Sequence, residues 1–407
     1  MSAWHDRERP AAPAGPTSRD AGGRPPGAGG GGGARARAPR RVLYISDARG
    51  PGGAEVYLTR LAGALDRSRF TPAALLDPSP ALDATARAFE SVGAPVVRLR
   101  VAGALDVAGL ARLTRAVRAS GADIAHVNLP STYDAACSLF LVAARSAGAR
   151  VVTTEHVVAI GRSRRRRLVK SAATRAARRV ITISRANVGH LARHGVPAGK
   201  VRLVGNGVPD PGPTPPEERA RRRARFPLAE GALLLGAVGS LIERKGHALL
   251  LEALAALSGR LAFHLAVVGD GEERAALEAA AARLGLARDV TFLGRVDDAA
   301  PWIAALDLHV LASRLEGMPL CVLEAMAARV PTVAFAIDGM SEVVEDGATG
   351  VLAPGRTAAA LAEAIAIAAD PVRRCAMGKA ARERYEERFT LEAMARATEA
   401  VYEEALA

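Results

Sequence analysis

The chain has 407 residues, 49% of them apolar and only 4% aromatic, with a formal net charge of +13. That length allows two domains of ordinary size, with Leu, Val and Ala filling their cores. The longest stretch without Asp, Glu, Lys or Arg is the 12 residues 231–242, against the about 20 that a membrane helix needs. Cys137, Cys321 and Cys375 stand too far apart for a disulfide scaffold or a zinc spacing, which suits a reducing cytoplasm. No apolar h-region of a signal peptide opens the chain.

Residues 1–40 are rich in Gly, Pro, Ala and Arg and are expected to form a disordered basic tail, because they bury too little to offset ordering entropy. From residue 41 short apolar runs alternate with segments of helical period. The runs are VLYIS (42–46), AALLD (73–77), PVVRL (95–99), DIAHVNL (123–129), RVVTTEH (150–156), RVITIS (179–184) and KVRLVGN (200–206). Helix-length connections between apolar runs predict a parallel sheet covered on both faces. Residues 209–217 read PDPGPTPPE, and five prolines there exclude helix and central strand, so 209–229 is the expected linker. The rhythm resumes with LLLGAVGS (233–240), AFHLAVVGD (262–270), DVTFLG (289–294), LDLHVLAS (306–313) and VPTVAFAI (330–337), and is helical from about 357.

The layout is α/β: a Rossmann-like domain over 41–208, a second over 230–375, and C-terminal helices over 376–407. Open parallel sheets bind ligands outside the carboxyl ends of their strands, so two facing sheets make a cleft. The informative residues follow strands. SRLEGMPLCVLEAM (313–326) separates Glu316 from Glu324 by seven residues. Pro319 is expected to open a helix, with Gly317 allowing close approach and the N–H groups near Met318 and Leu320 forming an anion site. A carboxylate pair beside an anion site suits an anionic ligand with hydroxyls. Gly52 and Gly53 sit between the first strand and a helix predicted over 54–65, where backbone N–H groups can reach a phosphate. They do not complete a dinucleotide GxGxxG.

These strings carry a resemblance. Glu316 and Glu324 with their surroundings resemble the signature of retaining glycosyltransferases of family 4. VGSLIERKG (238–246), AVVGDGEE (266–273), DVTFLGRV (289–296) and the segment 331–354 are similar to the same family's second domain. GGAE (52–55), TTEH (153–156) and ITIS (181–184) resemble its first, and Asn206–Gly207 the turn that ends it. The resemblance covers roughly 41–400 and implies the GT-B fold, with the donor domain second and the acceptor domain first. It implies transfer of a hexosyl unit from a nucleotide sugar to an acceptor hydroxyl, with retention. By this resemblance Glu324 binds ribose, Glu316 the donor sugar, and Arg244 and Lys245 the pyrophosphate. His156 lies near the anomeric carbon, and Val296 ends the base-contacting strand. Two departures stand out: Ser240 where the family often has Arg, and Asp338–Gly339–Met340 where it often has paired glycines.

Arg244 and Lys245 suit a leaving group that gains negative charge, which fixed cations stabilise more in the transition state than in the ground state. No cofactor and no metal are expected. A nucleotide sugar is the co-substrate, with a UDP-sugar favoured over GDP- or ADP-sugars and a sugar or lipid-linked acceptor, as in polysaccharide or glycolipid synthesis. Segment 162–179 carries nine cations and no acid. As a helix it would set Leu168, Val169, Ala172 and Ala176 on one side, and its charges should avoid the interior. Peripheral association with the anionic inner face of the cell membrane follows as an expectation. Nucleic acid is not expected, since no aromatic residues interleave there. His126 also ends a strand and reads as structural. Other classes compatible with the charge and fold are a nucleotide-sugar epimerase or hydrolase and a non-catalytic basic protein.

Overall fold

The computed structural model of the chain describes residues 38–103, 106–129, 135–156, 164–337 and 339–407. The expected tail up to residue 37, Arg162 and Asp338 lie outside the described residues, as do the side chains of 135–138 and 164–167. The first sheet contains β1 (Arg40–Ser46), β2 (Phe70–Leu76), β3 (Val96–Arg98), β4 (Ile124–Leu129), β5 (Arg150–Glu155), β6 (Arg179–Thr182) and β7 (Val201–Leu203). Its order is β3-β2-β1-β4-β5-β6-β7, with every described pairing parallel. The second contains β8 (Leu233–Val238), β9 (Phe263–Val268), β10 (Val290–Gly294), β11 (Leu308–Leu311), β12 (Thr332–Phe335) and β13 (Gly350–Ala353). Its order is β10-β9-β8-β11-β12-β13, again parallel.

The expected α/β layout of two parallel sheets is therefore present. The inner strands are sandwiched, as their apolar runs demand. In β1, Leu43 and Ile45 enter one core while Val42 and Tyr44 enter the other. In β8, Leu233, Leu235 and Ala237 face one cluster and Leu234 and Val238 the opposite one. Both sheets reverse direction of growth at their first strand, β1 and β8. The crevice at each reversal is where a ligand can enter from the carboxyl ends. β13 is the strand that periodicity does not predict; its four residues, GVLA, are recruited by pairing with β12.

Of the terminal helices only the last packs against the first domain. Helix Pro371–Arg388 buries Met377, Ala381 and Tyr385 against the second domain. Helix Leu391–Leu406 buries Met394, Ala395, Val401 and Tyr402 against the first. His126 has the expected structural place: Nδ1 lies 2.6 Å from the Tyr402 hydroxyl and Nε2 2.7 Å from that of Thr154. Burial holds its ring down to about 3, so it stays neutral and ties the last helix to β4.

Two local expectations fail. The proline stretch does not exclude a helix at its end: Pro216–Arg223 is helical, since Pro at the first helical position loses no intrahelical bond. The basic helix, Arg164–Thr174, is also rotated from the expected face. Leu168 is 72% exposed and Ala172 is exposed, while Lys170, Ala173, Thr174 and Ala177 are buried. The reason is Glu155 at the end of β5, whose fully buried carboxylate forms an ion pair with Lys170. One cation of the run thus faces the interior because a partner waits there. Removing one partner of a buried pair costs about 3–5 kcal/mol, and replacing both costs far less. Lys170→Met should therefore lower stability by about that amount, and Lys170→Met with Glu155→Leu should recover most of it in denaturant titrations. Equal losses in the two variants would contradict the pairing.

Candidate functional site

The carboxyl ends of both sheets meet around a cavity of about 340 Å³. The first domain contributes Gly52, Gly53, Ala54, Glu55 and His156; the second contributes Ser240, Arg244, Lys245, Glu316, Gly317, Met318, Leu320 and Cys321. Nine residues singled out from the sequence are thus gathered: Gly52, Gly53, His156, Arg244, Lys245, Glu316, Gly317, Met318 and Leu320. Pro319, Glu324 and Val296 do not line this cavity. Pro319 is the N-cap, not the first residue, of helix Leu320–Ala327. Val296 packs at the edge of the second-domain core. Glu324 faces a neighbouring cavity of about 430 Å³, also lined by Pro211, Pro213 and Asp298, and accepts a 2.6 Å bond from Arg60 of the first domain.

Charge is concentrated on the second-domain wall. Residues Glu243–Lys245 form a 3₁₀ turn closed by Gly246 at φ 68°. A Cβ at Gly246 would lie 2.2 Å from the Ala312 carbonyl, so glycine alone lets this turn press on the end of β11. That contact carries Lys245 to Glu316: Nζ lies 2.6 Å from Oε1, and Arg244 Nη1 lies 3.5 Å from the same oxygen. Arg244 also donates to the Leu315 carbonyl at 2.7 Å. Two cations and one carboxylate are held before any ligand arrives.

The opposite wall is made of dipoles. Helix Gly53–Ala64 starts one residue earlier than predicted, and Gly52 caps it without a side chain. The Glu55 and Val56 N–H groups turn back to the Gly52 carbonyl, at 3.2 and 3.1 Å. Gly53 and Ala54 line the cavity with no backbone partner for their N–H groups among the described residues, which makes an anion-binding helix start. His156 is 7% exposed; its Nε2 lies 2.7 Å from Asn128 Oδ1 and Tyr57 packs edge-on at 4.8 Å. Burial lowers its ring to about 4, so it is neutral near pH 7.

Ser240, the departure from the family noted above, also lines the cavity, and Glu55 and Cys321 line it without having been singled out as site residues. Glu55 had a signal: it shares the buried stripe of its helix with Leu58 and Ala62, three and seven residues on, where a carboxylate is out of place. It is 4% exposed, and Ser46 Oγ donates to Oε1 at 3.0 Å. Burial raises its pKa to about 7, against which the Ser46 bond works only partly. The Cys321 thiol is likewise pushed up to about 12 by burial, so it is no thiolate.

The chain matches the family model described as Glycosyltransferase Family 4 over residues 51–210, and the one described as Glycosyl transferases group 1 over 232–370. A lipopolysaccharide core biosynthesis glycosyltransferase, LpsE, of Rhizobium meliloti is 35% identical over 143 residues, 35% of this chain and 41% of that protein. A GDP-mannose-dependent alpha-(1-6)-phosphatidylinositol monomannoside mannosyltransferase of Mycolicibacterium smegmatis is 34% identical over 178 residues, 41% of this chain and 46% of that protein. The matched part thus spans under half the length of either relative. Among solved structures, Anabaena HepE in complex with UDP-glucose has a TM-score of 0.77 at 24% identity, over 89% of this chain and 99% of that chain. It shares the fold.

The Glu55 carboxyl generates a prediction. Its folded pKa is raised, so its contribution to stability is full below about pH 4.5 and is lost as pH rises through about 7. At 1.36 kcal/mol per unit the loss is about 3 kcal/mol. Glu55→Gln cannot ionise, so it should gain on the wild type from pH 5 to 7 and hold a constant lead above pH 8. Unfolding midpoints at those pH values check this, and a pH-independent difference would show that Glu55 is not held neutral.

Proposed function

The chain belongs to the family 4 glycosyltransferases, with the GT-B fold, and from that premise we propose a retaining, metal-independent transfer of a hexosyl unit from a nucleotide sugar to an acceptor hydroxyl. The observation that carries this reading is the convergence of Arg244, Lys245 and Glu316 on one wall, opposite the Gly52–Gly53 helix start and His156. The donor diphosphate would lie between the two cations and the N–H groups. Glu316, freed from Lys245 by that anion, would take hydroxyls of the sugar. Glu324 would take the ribose, displacing Arg60, so that the nucleoside occupies the second cavity.

In the reaction the anomeric C–O bond to the diphosphate breaks and the acceptor oxygen bonds the same carbon from the same face. The acceptor's proton passes to the departing phosphate oxygen. Arg244 and Lys245 stabilise the charge that develops there, as preorganised groups in a closed site do. A UDP-sugar is the favoured donor, in keeping with the UDP-glucose named for the Anabaena protein. The two relatives are named for lipopolysaccharide core and phosphatidylinositol mannoside, which supports a lipid-linked or saccharide acceptor.

A lipid-linked acceptor fits the outer layer of the first domain. Helices Val107–Ser120, Ala135–Ser146 and Arg164–Thr174 cover one face of its sheet and contain eight arginines and no Asp or Glu. Leu168 stands exposed among them. No helix among the described residues is long and apolar enough to cross a membrane. Contact with an anionic surface would be worth about 1 kcal/mol per nearby cation and would be screened by salt.

Purified chain incubated with UDP- and GDP-sugars and a lipid extract should release the nucleoside diphosphate and yield a product with the donor's anomeric configuration, read by NMR. Replacing both Arg244 and Lys245 by Ala should cut turnover at least about 10²-fold, and EDTA should not. An inverted product, or activity lost to EDTA and restored by Mn²⁺, would overturn the reading. Anionic liposomes should pellet the chain at low salt and release it at high salt, and neutral ones should not pellet it. Absence of pelleting at low salt would leave a soluble acceptor.

A further inference from the structure

Three neighbouring groups decide which nitrogen of His156 carries its hydrogen. Asn128, at the end of β4, donates from Nδ2 to the Ala54 carbonyl at 3.3 Å. A carbonyl only accepts, so the amide NH₂ must face Ala54 and the amide oxygen must face the other way. That oxygen, Oδ1, lies 2.7 Å from His156 Nε2. It too only accepts, so Nε2 is the N–H. The buried ring is neutral near pH 7 and has one N–H, which leaves Nδ1 as a bare lone pair. No partner of Nδ1 is among the described residues, and His156 lines the cavity. Two further contacts hold the residue: Tyr57 edge-on at 4.8 Å, and Asn187 Nδ2, which donates to the His156 carbonyl at 3.2 Å.

We propose that Asn128 is a positioning residue that locks His156 in the Nε2–H tautomer, so that Nδ1 meets the transferred sugar as a hydrogen-bond acceptor. This rests on the reading of the cavity as a nucleotide-sugar site and narrows its substrate class. A lone pair accepts from a hydroxyl or an amide N–H and repels a carboxylate. The sugar is therefore a neutral hexose or N-acetylhexosamine and not a hexuronic acid. The same amide spans from the helix start at Ala54 to the ring, so the wall that would face the phosphates and the group that would face the sugar share one anchor.

The test begins without any donor. Full-length chain labelled with ¹⁵N-histidine gives two-bond ¹H–¹⁵N spectra at pH 7, and His156→Gln identifies the His156 signals among the eight histidines. The wild type should show a protonated Nε2 and an unprotonated Nδ1. Asn128→Leu should give a mixed tautomer; Asn128→Asp keeps an acceptor oxygen there and should restore the Nε2–H form. By calorimetry Asn128→Leu should weaken UDP-glucose at least 10-fold and UDP less than 2-fold, and wild type should bind UDP-glucuronic acid at least 10-fold more weakly than UDP-glucose. A wild-type Nδ1–H tautomer, or one unchanged in Asn128→Leu, would overturn the positioning role even if that variant were unstable. Equal affinity for the uronic acid would overturn the substrate class. The expected tautomer with no binding of any nucleotide sugar would instead count against the donor-site reading.

Discussion

The two halves of this protein meet through backbone, and the site depends on that contact. Gly317, between the loop's Glu316 and the helix that follows, packs directly on the His156 carbonyl; a Cβ there would lie 2.2 Å from that oxygen. Gly339, at φ 83°, packs on Gly317 in turn, and its Cβ would lie 1.8 Å from the Gly317 carbonyl. Three chain segments therefore stack backbone on backbone, with the Ile183 side chain beside Gly317. Any substituent would wedge the sheets apart and carry Glu316 and Lys245 away from the Gly52 turn. Polar bonds across the cleft keep the same closure: Asn206 donates to the Met318 carbonyl at 2.7 Å, and Glu342 accepts from the Arg185 and Ala186 N–H groups at 2.9 and 3.0 Å.

Within that closure the walls divide the electrostatics. The second domain supplies full charges in Arg244, Lys245 and Glu316. The first supplies His156, which burial keeps neutral, and Glu55, whose pKa burial raises to about 7, together with helix N–H dipoles. Below pH 7 an anion entering such a cavity meets a largely protonated Glu55 on the first wall. Low local dielectric strengthens both the attraction to the cations and the cost of a misplaced charge. The internal Lys245–Glu316 pair offsets the cost of holding a cation in the empty site.

The termini of the fold also act across domains. The last helix closes the far face of the first sheet through Tyr402, His126 and Thr154, so the segment that ends the chain supports the strands that end at Asn128 and His156. On the same domain, the acid-free helical layer buries an apolar face on the sheet, and Glu155 draws Lys170 inward as well. A charge on this helix is buried where it finds a partner.

Apolar runs and their spacing were enough to place twelve of the strands and the proline-rich break, because burial of a sandwiched strand is written locally as Val, Leu and Ala. The residues near the cleft were legible for a related reason: in an open parallel sheet, whatever follows a strand lies at the ligand edge, which brought Gly52, His156, Lys245 and Glu316 into one list. Local pattern could not supply pairings between distant segments. The edge strand β13 exists only through β12, and Lys170 turned inward only because Glu155 lies on another strand. Glu324 met Arg60 from the other domain instead of the cavity around Glu316. The raised pKa of Glu55, the neutral state of His156 and the tautomer implied by Asn128 come from desolvation and from hydrogen bonds that exist only after the chain has folded. Sequence determined which residues could reach the cleft; tertiary contact decided their charge, their partners and the direction in which each one faces.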